Sequence, residues 1–201
     1  MQRTTRIALA ALAFLASGTV SAFALPANMQ SLGATNPPIG HYDYCKRNPS
    51  DCQPNTDGQQ AYHLDEANWK TILRINYNVN TTIKPMTDQE LYGVEEYWAI
   101  PTTAGDCEDY ALLKRKLLHE AGVPLSDLLM TVVLQPNGEG HAVLTVRTDR
   151  GDFVLDNMRN KVLIWSETEY RFLKRQATDN SAKWVKLDDG RVTSTSVGTL
   201  R

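Results

Sequence analysis

The chain contains 201 residues, of which 42% are hydrophobic and 22% are charged, and its formal net charge is -2. A chain of this length and composition can bury the core of one globular domain. The small net charge gives no electrostatic reason to expect a nucleic acid partner, so we exclude that function class.

Residues 1–24 have the three parts of a secretory signal peptide. Arg3 and Arg6 give a basic start, an apolar run covers residues 7–16, and small residues follow up to Ala24. The apolar run is shorter than the roughly 20 residues that a membrane-spanning helix needs. We therefore expect export, with a bacterial periplasm as the destination and no membrane insertion after the signal is removed.

Residues 25–64 are rich in Pro, Asn, Gly and Ser and have little periodicity, which predicts an irregular N-terminal arm. The arm contains Cys45 and Cys52, which can form a disulfide in an oxidising compartment. Cys107 is then the cysteine left over. An odd cysteine in an exported protein is a candidate reactive thiol.

Residues 65–190 are predicted to form one α+β domain, followed by a polar tail over residues 191–201. Apolar positions at helical spacing predict a helix over residues 65–80. Alternating or β-rich composition predicts strands over residues 128–135, 141–148, 152–156, 162–165 and 183–187. Sequential strands joined by short turns indicate an antiparallel meander.

A second helix is predicted to begin at Cys107 and to end near Gly122. Asp106 is the predicted N-cap, with Asp109 three positions later as its capping-box partner. Cys107 then lies at the positive end of the helix and on its apolar face. We expect this helix to pack on the antiparallel sheet.

A catalytic triad can be assembled from Cys107, His141 and Asp156. A turn centred between Thr148 and Asp149 places His141 and Asp156 almost directly opposite each other on one face, with Cβ atoms about 5 Å apart. The helix that carries Cys107 can pack on that face. A thiol, a base and a carboxylate that orients the base are the parts of a nucleophilic site. Taken alone, each residue also has an ordinary structural explanation, as a core cysteine, a strand-end histidine or a turn residue.

Three carboxylates, of Asp106, Glu108 and Asp109, lie beside Cys107 in the sequence. An unpaired carboxylate about 6 Å from the sulfur opposes a thiolate by roughly 3 kcal/mol, whereas a helix N-terminus favours it by only about 0.5–2 kcal/mol. A divalent cation among these carboxylates would remove the penalty, and clustered carboxylates suit Ca²⁺. The alternative is that Glu108 and Asp109 only complement the helix dipole.

Three segments resemble the bacterial transglutaminase-like cysteine proteases, a family of LapG-like periplasmic proteins. They are Gly105-Asp106-Cys107-Glu108-Asp109-Tyr110-Ala111, Gly140-His141-Ala142-Val143-Leu144 and Val154-Leu155-Asp156-Asn157. The resemblance extends over about residues 65–165, with Val79-Asn80 and Glu96-Tyr97-Trp98-Ala99-Ile100-Pro101 also similar. The arm that carries Cys45 and Cys52 departs from what we expect of these relatives.

The resemblance implies a papain/transglutaminase-like fold with Cys107 as nucleophile, His141 as general base and then acid, and Asp156 as the orienting carboxylate. It also implies Ca²⁺ bound by Asp106, Glu108 and Asp109. Relatives of this type cleave large surface adhesins near their N-termini, and an inner-membrane receptor for cyclic di-GMP sequesters them.

These observations predict an exported, calcium-dependent cysteine endopeptidase that acts on a cell-surface or periplasmic protein, such as a large adhesin involved in biofilm control. Two alternatives stay open. The same triad can pass the acyl group to an amine, as a transglutaminase does, or the chain is a non-catalytic calcium-binding module with a structural thiol.

Overall fold

The computed structural model describes residues 25–57 and 60–190. The predicted signal peptide, residues 1–24, and the predicted polar tail, residues 191–201, lie outside this part of the chain. Among the described residues, no helix combines the length and the apolar character that crossing a membrane requires.

The centre of the fold is a seven-stranded antiparallel sheet. The described part of the chain contains the strands of this sheet and two further strands. In chain order they are β1 (Gln30–Thr35), β2 (Lys84–Pro85), β3 (Ala104–Gly105), β4 (Leu128–Leu134), β5 (Gly140–Thr148), β6 (Gly151–Leu155), β7 (Leu163–Ile164), β8 (Arg171–Ala177) and β9 (Asn180–Asp188). The order in the sheet is β1-β9-β8-β4-β5-β6-β7, while β2 and β3 form a separate parallel pair. The predicted meander is confirmed from β4 to β7, and the predicted α+β class is confirmed with it.

The helices are α1 (Ile39–Arg47), α2 (Glu66–Thr82), α3 (Asp88–Tyr92) and α4 (Cys107–Glu120). The two predicted helices correspond to α2 and α4. Asp65 caps α2, because its carboxylate accepts the amide of Asn68 at 2.7 Å. Asp106 precedes α4 but makes no such capping bond, so the predicted capping box is wrong.

The N-terminal arm is more regular than the sequence predicted. β1 pairs with β9 at one edge of the sheet, and α1 follows it. Cys45, near the end of α1, forms a disulfide with Cys52. Arg47 donates a hydrogen bond to the carbonyl of Trp98 at 2.8 Å, which attaches α1 to the segment before α4. β1 is an exposed edge strand that is stabilised by its pairing with β9. Because neither of its faces is buried, its sequence has no hydrophobic alternation that would predict a strand.

The register between β5 and β6 differs from the predicted one by two residues. Thr148 pairs with Gly151, so that two residues rather than none lie at the tip of the hairpin, and Leu144 pairs with Leu155. Gly151 has a φ of 127°, a conformation that favours glycine at this turn. A shift of two positions preserves the face of every side chain, so the predicted common face of the two strand ends is retained.

Helix α4 packs between α2 and one face of the sheet, where Tyr110 and Leu144 belong to the same apolar cluster. The opposite face carries a second cluster that includes Val143. His141 follows the alternation of Val143, so the prediction that α4 packs on the face of His141 is wrong. Cys107 and His141 come together instead at the end of the sheet, where both α4 and β5 begin.

Candidate active site

Cys107 occupies the first position of α4 and is partly buried. Its Sγ lies 3.4 Å from the backbone nitrogen of Ala142, which donates to it from β5. The thiol in turn donates to Oε2 of Glu108 at 3.0 Å. The first N–H groups of a helix have no acceptor within the helix, so the amide of Cys107 is available to a ligand.

His141 and Asp156 form a buried hydrogen-bonded pair. His141 Nε2 lies 3.0 Å from Asp156 Oδ1, and the two residues are only 6% and 2% exposed. His141 comes from the start of β5, and Asp156 directly follows β6. Because the carboxylate engages Nε2, it leaves Nδ1 of the imidazole to accept a proton.

Asp156 is held by three further groups. Tyr170 Oη donates to Oδ2 at 2.5 Å, the amide of Met158 donates to Oδ1 at 2.9 Å, and the guanidinium of Arg159 lies 3.6 Å from Oδ2. Burial raises the pKa of Asp156, but hydrogen bonds from His141, Tyr170 and Met158 outweigh it and leave the pKa below its usual value. An ionised carboxylate at this place can orient the imidazole and stabilise its charged form.

Cys107 and His141 line the same open cleft, which has a volume of about 250 Å³. Pro38 and Trp98 contribute apolar walls, and Glu96 contributes a carboxylate. A peptide carbonyl that enters the cleft therefore meets the thiol and the imidazole together.

Asp106 and Glu108 lie together with Asp88, the first residue of α3. One carboxylate oxygen from each of these three residues lies within 4.8 Å of the other two. One oxygen of Asp88 accepts the amide of Tyr97. Oδ1 of Asp88 and Oδ1 of Asp106 are buried and have no hydrogen-bond partner among the described residues. Because buried carboxylate oxygens without partners are costly, this arrangement fits a cation.

Asp109 does not join this cluster, although the sequence placed it there. Its Oδ1 accepts the amide of Ala99 at 2.7 Å, and its carboxylate packs against Gly105, where an added Cβ would lie 2.6 Å from Oδ2. Burial raises the pKa of Asp109 to about 7. Its Oδ2 is buried and has no hydrogen-bond partner among the described residues, as is also true of Oδ1 in Asp88 and Asp106. Through the bond from Ala99, the side chain fixes the loop that leads into α4.

The carboxylates disfavour the thiolate, as the charge argument from the sequence predicts. Burial and the charge of Glu108 raise the pKa of Cys107 well above its usual value, and the amide of Ala142 only partly opposes this. Burial and the charge of Asp106 raise the pKa of Glu108 to about 8. The thiol donates a hydrogen bond to Glu108 in this arrangement, and positive charge among these carboxylates would favour the thiolate.

Residues 31–192 match the protein family described as bacterial transglutaminase-like cysteine proteinase, BTLCP. The match covers most of the chain and includes Cys107, His141 and Asp156. The chain belongs to this family. It is thus a cysteine protease of the transglutaminase-like type, as the sequence predicted. No curated protein sequence matches the chain significantly.

Solved structures show the same fold. LapG of Legionella pneumophila matches with a TM-score of 0.50 and 24% identity, over 59% of this chain and 68% of that chain. The calcium-bound form of Legionella pneumophila LapG matches with a TM-score of 0.50 and 23% identity, over 65% of this chain and 75% of that chain. The predicted transglutaminase-like architecture is confirmed by this likeness.

Asp88 and Tyr170 were missed by the sequence analysis. Asp88 directly follows Thr87, which forms a capping box with Glu90, so the start of α3 can be recognised from the local sequence. No local pattern connects Asp88 to Asp106. Tyr170 precedes β8 and reaches Asp156 only through the order of strands in the sheet.

Proposed function

We propose that the chain is an exported, calcium-dependent cysteine endopeptidase whose catalytic residues are Cys107, His141 and Asp156. The observation that carries this proposal is the buried 3.0 Å hydrogen bond between His141 and Asp156 at the cleft that Cys107 also lines. A base that is already oriented beside a helix-start cysteine is the arrangement that nucleophilic catalysis needs.

The residues divide the reaction among them as follows. His141 takes the proton of the Cys107 thiol, and the thiolate attacks the carbonyl carbon of the peptide bond. The amide of Cys107 donates a hydrogen bond to the oxyanion that forms. His141 then gives its proton to the departing amine, which leaves a thioester on Cys107. Water, deprotonated by His141, hydrolyses the thioester, while Asp156 stays ionised and holds the imidazole in place.

Asp88, Asp106 and Glu108 are the residues that would hold calcium. Their donor atoms are all carboxylate oxygens, which are the ligands that Ca²⁺ prefers. The bound ion would supply positive charge that offsets the acidic groups beside the thiol. The existence of a calcium-bound form of Legionella pneumophila LapG supports this part of the proposal.

The proposed substrate is a cell-surface or periplasmic protein, such as a large adhesin whose cleavage would control biofilm formation. The signal-peptide pattern in residues 1–24 and the resemblance to LapG-like proteins support this choice. The same resemblance supports an inner-membrane cyclic di-GMP receptor as a regulatory partner.

Labelling by iodoacetamide at mildly acidic pH, with calcium present, tests the triad. Cys107 is the one cysteine outside the disulfide, so labelling reports a single site. We expect fast labelling that His141→Ala slows by roughly 10²-fold. His63→Ala removes an exposed histidine that pairs with Asp149 and serves as the control, with no change expected. An inert wild-type thiol would support the non-catalytic calcium-binding module instead.

A comparison of the proteins released from cells that carry the wild-type chain or Cys107→Ala tests the endopeptidase activity. A fragment that appears only with the active chain supports the proposal, and its new terminus gives the cleavage site. Adding a primary amine to the purified reaction separates hydrolysis from acyl transfer, because a transferase would leave the amine attached to the product.

A further inference from the structure

Two asparagines of α2 lie against the turn that follows Asp156. Asn76 and Asn80 are one helical turn apart, so their side chains share one side of the helix. Asn76 is 0% exposed and Asn80 is partly buried. The side-chain oxygen of each is buried and has no hydrogen-bond partner among the described residues. Because an apolar side chain would avoid the cost of these oxygens, packing alone does not explain the asparagines.

The side-chain nitrogens of these asparagines hold the turn from α2. Asn80 Nδ2 lies 2.9 Å from the carbonyl oxygen of Asp156 and 3.1 Å from that of Arg159. It also lies 3.1 Å from Oδ1 of Asn160, so the two hydrogens of this amide are shared among three acceptors. Asn76 Nδ2 donates to the carbonyl of Asn160 at 3.1 Å. Both ends of the turn are therefore attached to the helix.

The same turn supplies two of the groups that hold the carboxylate of Asp156. The amide of Met158 donates to Oδ1 at 2.9 Å, and the guanidinium of Arg159 lies 3.6 Å from Oδ2. The last residue pair between β5 and β6 is Leu144 with Leu155, so Asp156 lies just beyond the strand. The place of its carboxylate therefore depends on the path of the turn.

We propose that Asn80 is a positioning residue of the triad, which holds the backbone of the turn so that the carboxylate of Asp156 stays aligned with His141. This inference rests on the proposed triad. Without the amide of Asn80, the carbonyls of Asp156 and Arg159 lose their donor and the turn can shift. The groups from Met158 and Arg159 then shift with it. Small displacements of catalytic groups are costly even when the substitution lies outside the reacting atoms.

The rate of Cys107 alkylation by iodoacetamide, with calcium present and well below the melting temperature, measures this role. In Asn80→Ala we expect a rate about tenfold lower, a smaller loss than the roughly 10²-fold expected for His141→Ala, because the imidazole is still present but less well aligned. Asn78→Ala is the matched control, since Asn78 is an exposed asparagine of the same helix, and its rate should not change. A wild-type rate in Asn80→Ala would overturn the proposal.

The proton that His141 Nε2 shares with Asp156 gives a second measurement, by NMR. Its bond is buried, so its exchange with water requires a local opening. In Asn80→Ala we expect the signal of this proton to broaden through faster exchange, while the backbone amides of α4 exchange as in the wild type. Equal acceleration of both would indicate a general loss of stability and overturn the proposal, as would an unchanged imidazole signal.

A double-mutant cycle with Asp156→Ala separates positioning from a general structural role. If Asn80 acts through the carboxylate of Asp156, Asn80→Ala changes the alkylation rate in the Asp156→Ala background by less than about a factor of two. A full tenfold loss in that background overturns the proposal. Failure of the triad itself would look different, as a wild-type thiol that is inert or indifferent to His141→Ala.

Asn80→Asp is the second variant, for use if Asn80→Ala does not fold. Aspartate has nearly the same shape as asparagine, but its ionised carboxylate cannot donate to the carbonyls of the turn. We expect the same slower alkylation in this variant near neutral pH. A wild-type rate would overturn the proposal, and an unfolded Asp variant would establish a structural role and also overturn it.

Discussion

The two carboxylate oxygens of Asp156 are divided between His141 and Tyr170. Oδ1 lies 3.0 Å from His141 Nε2, and Oδ2 accepts from Tyr170 Oη at 2.5 Å. The ring of Tyr170 also packs against the imidazole, with the ring centroids 5.5 Å apart. Tyr170 thus fixes both members of the pair, from the opposite face of the sheet to α4.

Tyr170→Phe should weaken the pair without emptying the space that the ring fills. Loss of a hydrogen bond to a charged acceptor costs about 1.5–3 kcal/mol, so we expect a labelling rate roughly tenfold lower. The pKa of Asp156 should rise towards its usual value, which moves the acidic limb of the labelling profile to higher pH. Tyr77→Phe, at a residue 54% exposed, is the control. An unchanged acidic limb would show that Tyr170 does not act on Asp156.

Asp88→Asn should abolish stabilisation by calcium, whereas Asp109→Asn should retain it. Asp88 belongs to the three-carboxylate cluster, while Asp109 uses Oδ1 to accept the amide of Ala99, which an asparagine oxygen can also do. A ligand at about 100 times its dissociation constant stabilises the folded state by about 2.7 kcal/mol. The measurement is the melting temperature with calcium and with chelator. The reverse result for the two variants would return the site to the assignment made from the sequence.

In the presence of chelator, the wild-type chain should lose stability relative to Glu108→Gln as the pH rises. Burial and the charge of Asp106 raise the pKa of Glu108 to about 8 in the folded state, whereas a glutamate in the unfolded chain has a pKa of about 4.3. Between these two values the folded chain holds a proton that the unfolded chain has lost, so the free energy of unfolding falls with increasing pH. Urea titrations at about pH 5 and pH 8 measure the difference between the two chains. Titrating groups that do not interact with Glu108 cancel in this difference. The control Glu120→Gln, at an exposed residue, should show no such pH-dependent difference from the wild type. A wild-type chain that gains stability over Glu108→Gln would contradict the assignment.

Gly40→Ala, in α1 of the N-terminal arm, should displace side chains that line the cleft. A Cβ at Gly40 would overlap the indole of Trp98 and the carboxylate of Glu96, both of which line the cleft. Alanine gains up to about 1 kcal/mol of helix propensity over glycine, but overpacking costs about 1–3 kcal/mol, so we expect a net loss of stability. Denaturation and labelling rates measure the two effects. The control is Asp43→Ala, which removes a surface pair with Lys46. If Gly40→Ala has the stability and the labelling rate of the wild type, the indole of Trp98 can move aside without a measurable cost.

Elements with a strong local pattern were predictable from the sequence. The apolar spacing of α2 and α4 and the alternation of β5 were sufficient to place these elements, and the short turns gave the meander. β8 was missed because its sequence, Arg171-Phe172-Leu173-Lys174-Arg175-Gln176-Ala177, mixes charge with apolar residues and pairs with β4 across an intervening stretch of chain. Its place in the sheet depends on tertiary pairing rather than on local propensity.

The residues of the candidate site show the same difference between local sequence pattern and tertiary contact. His141 and Asp156 lie at the ends of one hairpin, so local reasoning brought them together even with the register displaced by two residues. Asp88 and Tyr170 reach their partners through the tertiary fold, and no spacing in the sequence could indicate either contact. Asp109 was assigned by adjacency in sequence, but neighbouring side chains on a helix point about 100° apart.

The pairing of β2 with β3 closes the base of the segment of residues 86–103. The backbone amide of Lys84 donates to the carbonyl of Thr103 at 2.9 Å, and the backbone amide of Met86 donates to the carbonyl of Gly105 at 3.0 Å. The segment between these strands supplies both Asp88 and Trp98, and it ends directly before Cys107. It is anchored in the domain, because Trp98 is buried in the main apolar cluster and the amide of Ala99 donates to Asp109. A change in its path is therefore expected to alter the carboxylate cluster and the cleft wall together, while the hairpin that carries His141 and Asp156 stays as it is.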